Sequence, residues 1–385
     1  MPERWQKAGF GLYIHWPFCQ AKCPYCDFNS HVSQAITQTD WSTAYLKEID
    51  RVGAETGPRV LRSIYFGGGT PSLMEPEVVS AVIDRAARTW TFANDIEITL
   101  EANPTSSEAG RFKGYAAAGV NRVSLGVQAL NDDDLQRLGR LHSVNDALAA
   151  VTLARSILPR VSFDLIYGRQ DQTLDAWETE LTRALGFDPD HLSLYQLTVE
   201  PGTVFAKRHA AGHLTGMPDI DLEADFFELT NTTCSEAGLP AYEISNFARK
   251  GQESRHNLIY WNGGDWAGIG PGAHGRLTIN GRRVATETAK LPQAWIDRVA
   301  SLGTGETIRE TLGAGDQMTE ALTMGLRTID GIDLSGMSEA PPPALLRNIN
   351  TLQNLGLVQR EEDRLRLTRD GWPLLNSVVA ELLRD

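Results

Sequence analysis

Six short runs of β-forming residues recur along the first half of the chain, at 12–16, 63–66, 96–100, 122–125, 161–166 and 191–197. The segments between them, at 41–55, 76–87, 109–118, 146–157 and 174–185, carry apolar residues at helical spacing. Strand and helix alternating in this way imply a parallel sheet with helices packed outside it. Runs such as VSFDLIYG and HLSLYQL are nearly continuous in apolar residues, which suits a sheet covered on both faces. Periodicity alone fits an open doubly wound sheet as well as a barrel. The strand ends favour the barrel: Gly67-Gly68-Gly69-Thr70-Pro71 follows the second run, Glu101-Ala102-Asn103-Pro104 the third and Gln128 the fourth, while Asp164 lies late in the fifth. Polar and glycine-rich groups gathered at the C-terminal ends of many strands are the habit of a β/α barrel, whose active face lies there.

Directly after the first run comes CQAKCPYCDF, with Cys19, Cys23 and Cys26 inside eight residues; the remaining cysteine, Cys234, is far downstream. Clustered cysteines in an otherwise cysteine-poor chain fit a reducing compartment and metal ligation better than disulfides. Thiolates select zinc or iron-sulfur clusters, and closed structural sites of either kind use four ligands. Three thiolates leave one metal position for something that is not protein. A zinc knuckle completed by His31 and a plain group of buried thiols are the alternatives that the residues themselves leave open.

The C-x3-C-x2-C spacing, with Tyr25 before the last cysteine, resembles the cluster loop of the radical S-adenosylmethionine (SAM) superfamily. That resemblance implies a partial (β/α)6 TIM-type barrel and a 4Fe-4S cluster ligated by Cys19, Cys23 and Cys26, with SAM on the open iron. It also implies roles at the strand ends. Gly68, Gly69 and Thr70 would bind the SAM amino group, Glu101 in LEANP the ribose, and Tyr25 would pack near the adenine. Tyr13, six residues before Cys19 in YIHWPFC, matches a tyrosine that meets a SAM in the coproporphyrinogen branch. Gln128, Arg140 and Asp164 match positions that contact a second SAM in the coproporphyrinogen dehydrogenases. Read as bare residues, Glu101 is a buried ion-pair partner, Arg140 a surface cation and GGGTP a turn.

From about residue 215 the pattern changes. A helical stretch at 219–236 leads into AYEISNFARKGQESRHNLIYWNGGDWAGIGPGAHGR, whose glycines and aromatics read as loop and irregular strand near a site. His256 stands there with Asn257, Tyr260 and Trp261 close by. A lone histidine is most often an ordinary hydrogen-bonded residue, yet histidine is also a usual axial ligand of heme iron, and aromatic side chains supply the wall a porphyrin needs. Helices at 316–327 and 344–355, a C-terminal glycine at 356, a hairpin and a last helix ending near 383 form a winged-helix pattern. Six basic and six acidic residues from Pro341 onward give that segment no basic face, and the whole chain carries a net charge of −13. Nucleic acid is therefore not the expected partner.

The resemblance runs through SLYQLTVEPGTVF and YEISNFA to LGLVQR and LRLTRDGW, and within the superfamily it is to the HemW family of heme chaperones. The related dehydrogenases carry a fourth cysteine two residues beyond the third and a longer N-terminal extension. Here Asp27 and Phe28 follow Cys26, twelve residues precede Tyr13, and HNLIYW matches the chaperone signature HNxxYW. One departure is YGRQDQT at 167–173 where YGLPGQT is usual. The expectation is a radical SAM core at 1–215, an extension carrying HNLIYW at 216–304 and a small α+β winged-helix-like domain at 305–385. Its ligands are a 4Fe-4S cluster, SAM and heme, with His256 the candidate iron ligand beside Asn257, Tyr260 and Trp261. Heme would pass to acceptor hemoproteins at the respiratory membrane, from a cytoplasmic protein, peripheral at most, that dimerises with the cluster's help. The alternatives are oxidation of coproporphyrinogen III propionates through SAM cleavage, and a winged-helix regulator using the cluster as a redox sensor.

Overall fold

In the computed structural model, residues 4–33, 36–337 and 339–384 are described. Six strands carry the alternation: β1 (Phe10–Trp16), β2 (Val60–Gly68), β3 (Thr91–Ala102), β4 (Arg122–Gln128), β5 (Arg160–Tyr167) and β6 (His191–Gln196). They pair in parallel in chain order, Tyr13 opposite Tyr65, Leu100 opposite Val123 and Asp164 opposite Ser193. Between them lie α1 (Gln38–Thr56), α2 (Pro76–Thr89), α3 (Phe112–Ala118), α4 (Val144–Ile157) and α5 (Leu174–Leu185). The strands are longer than their apolar runs suggest because paired backbone continues through the polar residues at either end.

Local chemistry sets the helix ends. Ser143 and Asp146 form a reciprocal capping box at the start of α4, Thr173 caps α5, and Asp219 caps α6 (Ile220–Glu236). The segment expected as one helix at 109–118 is split: a short turn ends at Ala109, Arg111 supplies the cap position of α3, and Gly119 closes it at φ 107°.

The glycine and aromatic-rich extension departs from expectation. Its residues Asp265–Ile269 form β9, a regular strand lying parallel to β1 with Tyr13 opposite Gly268. Before it come β7 (Ala241–Glu243), β8 (Asn246–Ala248) and α7 (Arg255–Trp261). After it β10 (His274–Ile279), β11 (Arg282–Thr288) and β12 (Glu306–Thr311) continue the sheet antiparallel, giving the order β12-β11-β10-β9-β1-β2-β3-β4-β5-β6-β8-β7. The glycines here are demanded by close packing of backbone: a Cβ on Gly268 would sit 2.0 Å from the His274 carbonyl oxygen. Between β11 and β12 runs α8 (Pro292–Leu302), whose Trp295 stacks on Trp41 of α1 with centroids 5.6 Å apart.

A buried ionic knot fixes β9. Asp265, fully buried, accepts from Arg59 Nη1 at 2.7 Å, Arg283 Nη1 at 3.1 Å and Thr278 Oγ1 at 3.0 Å, and the Arg59 guanidinium lies 4.1 Å from the Trp5 ring centroid. The unusual YGRQDQT loop is compensated in the same way. Arg169 is buried; it pairs with Glu180 and with Asp134 at 3.0 Å, and donates to the Ile166 carbonyl at 2.6 Å.

A second, smaller core lies in the C-terminal segment, where Leu322, Leu326, Leu345, Ile349, Leu365 and Val378 are buried together. It is built by α9 (Ala314–Gly325), α10 (Pro343–Asn354), α11 (Leu375–Leu382) and a three-stranded sheet of Ile332–Asp333, Arg364–Leu367 and Val358–Glu361. The fold is thus a partial α/β barrel, extended along one edge by β9 to β12 and followed by a small α+β domain. Among the described residues no helix is long and apolar enough to cross a membrane.

Candidate functional site

The C-terminal ends of β1 to β5 converge on the cysteine loop. After Trp16 the chain makes a two-residue ladder, Phe18 with His31 and Cys19 with Val32, which returns the loop over the sheet end. Gly69 N donates to the Trp16 carbonyl at 2.7 Å and Thr70 N to the Phe18 carbonyl at 2.8 Å, so GGGTP is laced to the loop. Glycine is required at this seam. A Cβ on Gly69 would lie 2.7 Å from the Phe18 carbonyl oxygen and 3.1 Å from Cys19 Sγ, and one on Gly68, at φ 113°, would meet the His15 ring at 2.6 Å.

The three thiols are free and partly exposed. Donors are aimed at two of them: Thr70 Oγ1 stands 3.3 Å from Cys19 Sγ and Arg140 Nη1 stands 3.4 Å from Cys23 Sγ. Burial raises the Cys19 and Cys26 thiols, and these neighbours pull back: the Thr70 hydroxyl on Cys19, and the Phe28 backbone on Cys26. Among the described residues no three His, Cys, Asp or Glu side chains converge as ligands of one ion, which a Cys19, Cys23, Cys26 and His31 zinc knuckle requires. Moreover His31 Nε2 is paired with Asn29 Oδ1 at 3.3 Å. Three thiolates that each bind a different iron of a cluster need no such convergence, and donors directed at sulfur suit that donor set. The residues present fit a cluster with one iron left open.

Arg140 is no surface cation. It also donates to the Gly126 carbonyl at 3.0 Å and to Asn103 Oδ1, while Asn103 Nδ2 reaches Thr70 Oγ1 at 3.1 Å. Asn103 therefore links GGGTP, the LEANP end and Arg140. Sequence reading passed over it, although a polar amide straight after a strand end was the available signal. Tyr25 packs toward Phe205 with centroids 6.3 Å apart, and Phe205 N holds the Pro24 carbonyl at 2.9 Å. Gln128 sits at φ 71°, unusual for a side chain of its size, with Oε1 buried and unpartnered. Left-handed backbone and an acceptor without a protein partner thus coincide at this strand end.

Below this rim the barrel lumen is layered. Tyr65 OH donates to Glu101 Oε1 at 2.8 Å and Gly68 N to Glu101 Oε2 at 3.2 Å; Ser124 Oγ donates to Asp164 Oδ1 at 3.0 Å. Burial lifts Glu101 to about 7, against the pull of the Tyr65 hydroxyl, with nearby Asp164 adding to the rise. Burial likewise lifts Asp164 to about 6, against its serine partners Ser193 and Ser124. Tyr13 faces Tyr65, its hydroxyl 3.0 Å from His15 Nδ1.

A carboxyl with a raised folded pKa keeps its proton where the unfolded chain has lost it, so its contribution to stability is present below about pH 4.5 and lost as pH rises toward 7. Glu101→Gln has no such loss. In the absence of nucleoside, its thermal unfolding should exceed that of the parent by about 1–3 kcal/mol at pH 8 and converge with it near pH 4.5. Equal stability of parent and variant at the two pH values would contradict the burial argument.

His256 lies deeper, one layer beneath Tyr13 and Tyr65. It is 1% exposed, stacks on Tyr65 at 4.9 Å, and has both nitrogens engaged: Nδ1 with Ser63 Oγ at 2.7 Å and Nε2 with Tyr260 OH at 2.6 Å. Burial, with Arg122 adding to it, lowers its pKa to about 3, so it stays neutral. As placed, it meets an iron only if one of these bonds opens. The helical i, i+4 relation puts Tyr260 beside it inside the barrel, whereas Trp261 turns outward and Asn257 N is spent on the Ser254 cap at 3.4 Å.

Comparison with known proteins follows the same division. The sequence model of the Radical SAM superfamily matches residues 13–183 and that of the HemN C-terminal domain residues 313–374. The chain is similar to heme chaperone HemW of Haemophilus influenzae, 36% identical over 97% of this chain and 98% of that one. The HemW of Escherichia coli is 41% identical over 74% and 75%. The bovine mitochondrial radical SAM domain-containing protein 1 is 38% identical over 97% and 87%. Among solved structures, coproporphyrinogen III oxidase HemN of Escherichia coli superposes with a TM-score of 0.81 at 22% identity, over 97% of this chain and 89% of that one.

Proposed function

Since the chain belongs to the HemW family of heme chaperones within the radical SAM superfamily, we propose that it holds a 4Fe-4S cluster and SAM, binds heme and hands it to acceptor hemoproteins. The observation that carries this reading is a match to heme chaperones along almost the entire chain, the barrel and the C-terminal domain included.

In this reading Cys19, Cys23 and Cys26 would ligate the cluster, and SAM would bind at the position that three thiolates leave open. Gly68, Gly69 and Thr70 would bind the SAM amino group, the two glycines letting this segment pack against the cysteine loop. Glu101, oriented by Tyr65 and the Gly68 amide, accepts from the ribose hydroxyls once ionised. Thr70 and Arg140 stabilise thiolate charge by donating toward sulfur. Tyr13, Tyr25, Gln128 and Asp164 would complete the SAM contacts, as the family resemblance implies. When bound, the cluster and SAM together supply one-electron chemistry or a structural anchor. Delivery to hemoproteins of the respiratory membrane requires only peripheral contact, and pairing of two copies around the cluster loops belongs to the same proposal.

Phe28, 60% exposed, occupies the position of the dehydrogenases' fourth cysteine. The reconstituted protein, given reductant, SAM and coproporphyrinogen III, should form no protoporphyrinogen IX. Steady formation of that product would replace the chaperone reading with the catalytic one.

A further inference from the structure

At the opposite end of the barrel from the cysteine loop a groove of 1570 Å3 runs between the strand beginnings and the C-terminal domain. Its walls come from the residues preceding β1, the starts of β2 and β3, the outer face of α7, and α9 with the segment after it. That volume exceeds the few hundred to about 1,000 Å3 typical of small-molecule sites, which leaves room for a ligand as large as a macrocycle. Nothing in the cluster and SAM reading uses it.

Three features of the lining point to one chemistry. Met318, Met324 and Met337, half of the chain's six methionines, all face the groove and are partly exposed. Thioethers are polarisable, pack against aromatic π-systems and ligate heme iron. Leu258 and Trp261 of HNLIYW form an apolar wall, and the Trp261 indole N–H is buried without an acceptor. At the mouth, Arg62 is exposed and has no hydrogen bond or ion pair among the described residues, whereas the groove's Arg255 and Arg283 are neutralised by Asp95, Asp265 and Glu320. A groove with an apolar wall, soft sulfur donors and two cations, Lys7 and Arg62, whose side chains make neither hydrogen bond nor ion pair among the described residues complements a flat iron porphyrin, whose faces are apolar and whose edge carries carboxylates.

We propose that this groove is the heme-binding site, where one of the lining thioethers of Met318, Met324 and Met337 would offer a soft axial donor and Arg62 would meet a propionate. The inference rests on the chaperone reading and deepens it. It divides HNLIYW into two faces: His256 and Tyr260 fill the barrel from below, and Leu258 and Trp261 touch the cargo.

The test is a titration of ferric heme, and separately of iron-free protoporphyrin IX, into the full chain with its cluster reconstituted. Met318→Leu/Met324→Leu/Met337→Leu keeps volume and apolarity while removing every sulfur. It should bind heme at least about 10-fold more weakly, with an altered Soret band, and bind the iron-free porphyrin as the parent does. Arg62→Glu, at an exposed position, should weaken both ligands by about 3- to 10-fold. Melting curves matching the parent show that neither variant acts through unfolding. If parent and variants bind heme alike, the groove is not the site and the chaperone reading stands. If the parent itself binds no heme, both fall together.

Discussion

Cys26→Ala protein reconstituted anaerobically with iron and sulfide is expected to lose the cluster absorption of the parent and, with it, SAM affinity by at least roughly 100-fold. Outer-sphere changes at metal sites already cost 10- to 100-fold, and this one removes a ligand. Cys19→Ala and Cys23→Ala should do the same, because with three thiolates no spare ligand exists among the cysteines. The fourth, Cys234, is fully buried in the core, where burial lifts its thiol to about 12. Cys234→Ala therefore leaves iron content and SAM binding unchanged. Iron and sulfide assays with equilibrium dialysis of SAM decide the matter; a Cys26→Ala protein holding a full cluster and normal SAM affinity would remove the basis of the site.

Asp265→Ala is expected to be the most damaging single change to the fold, at about 3–5 kcal/mol or more. The carboxylate has no solvent contact, and its loss leaves Arg59 buried with no charged partner and Arg283 held by Glu320 alone. It also frees Thr278 at the start of the extra strands, so β9 to β12 should exchange amide hydrogens faster than β2 to β5. Chemical denaturation with hydrogen exchange by segment measures both effects. A loss under about 1 kcal/mol would mean that the knot is solvated and that packing alone holds β9 against β1.

The residues named at the strand ends were legible because the chemistry follows apolar runs directly: once β1 to β6 are placed, Gly68, Glu101, Gln128 and Asp164 share one end of the sheet. What escaped was long-range. β9 looked like loop and irregular strand because DWAGIG is broken by glycines, and those glycines admit backbone that arrives from His274 at Gly268 and from His15 at Gly270. Arg140 was marked out by the family resemblance, whereas the bare residue reads as a surface cation because its partners, Cys23, Asn103 and Gly126, come from three other segments. Arg169 looked like a departure that put its loop in doubt, and Glu180 and Asp134 show it to be paired. His256 is the instructive case. Its aromatic neighbours suggested a porphyrin wall, yet Tyr65 and Tyr260 pack it into the lumen and occupy the ring that an iron would need.

The most direct test of the account is heme transfer. The cluster-loaded protein, charged with one equivalent of heme and mixed with an apo-hemoprotein of the respiratory chain, should lose its own Soret band as the acceptor's spectrum appears, faster than heme is released to a passive scavenger. Heme that leaves no faster for the acceptor than for the scavenger, or a protein that takes up no heme at all, would contradict it.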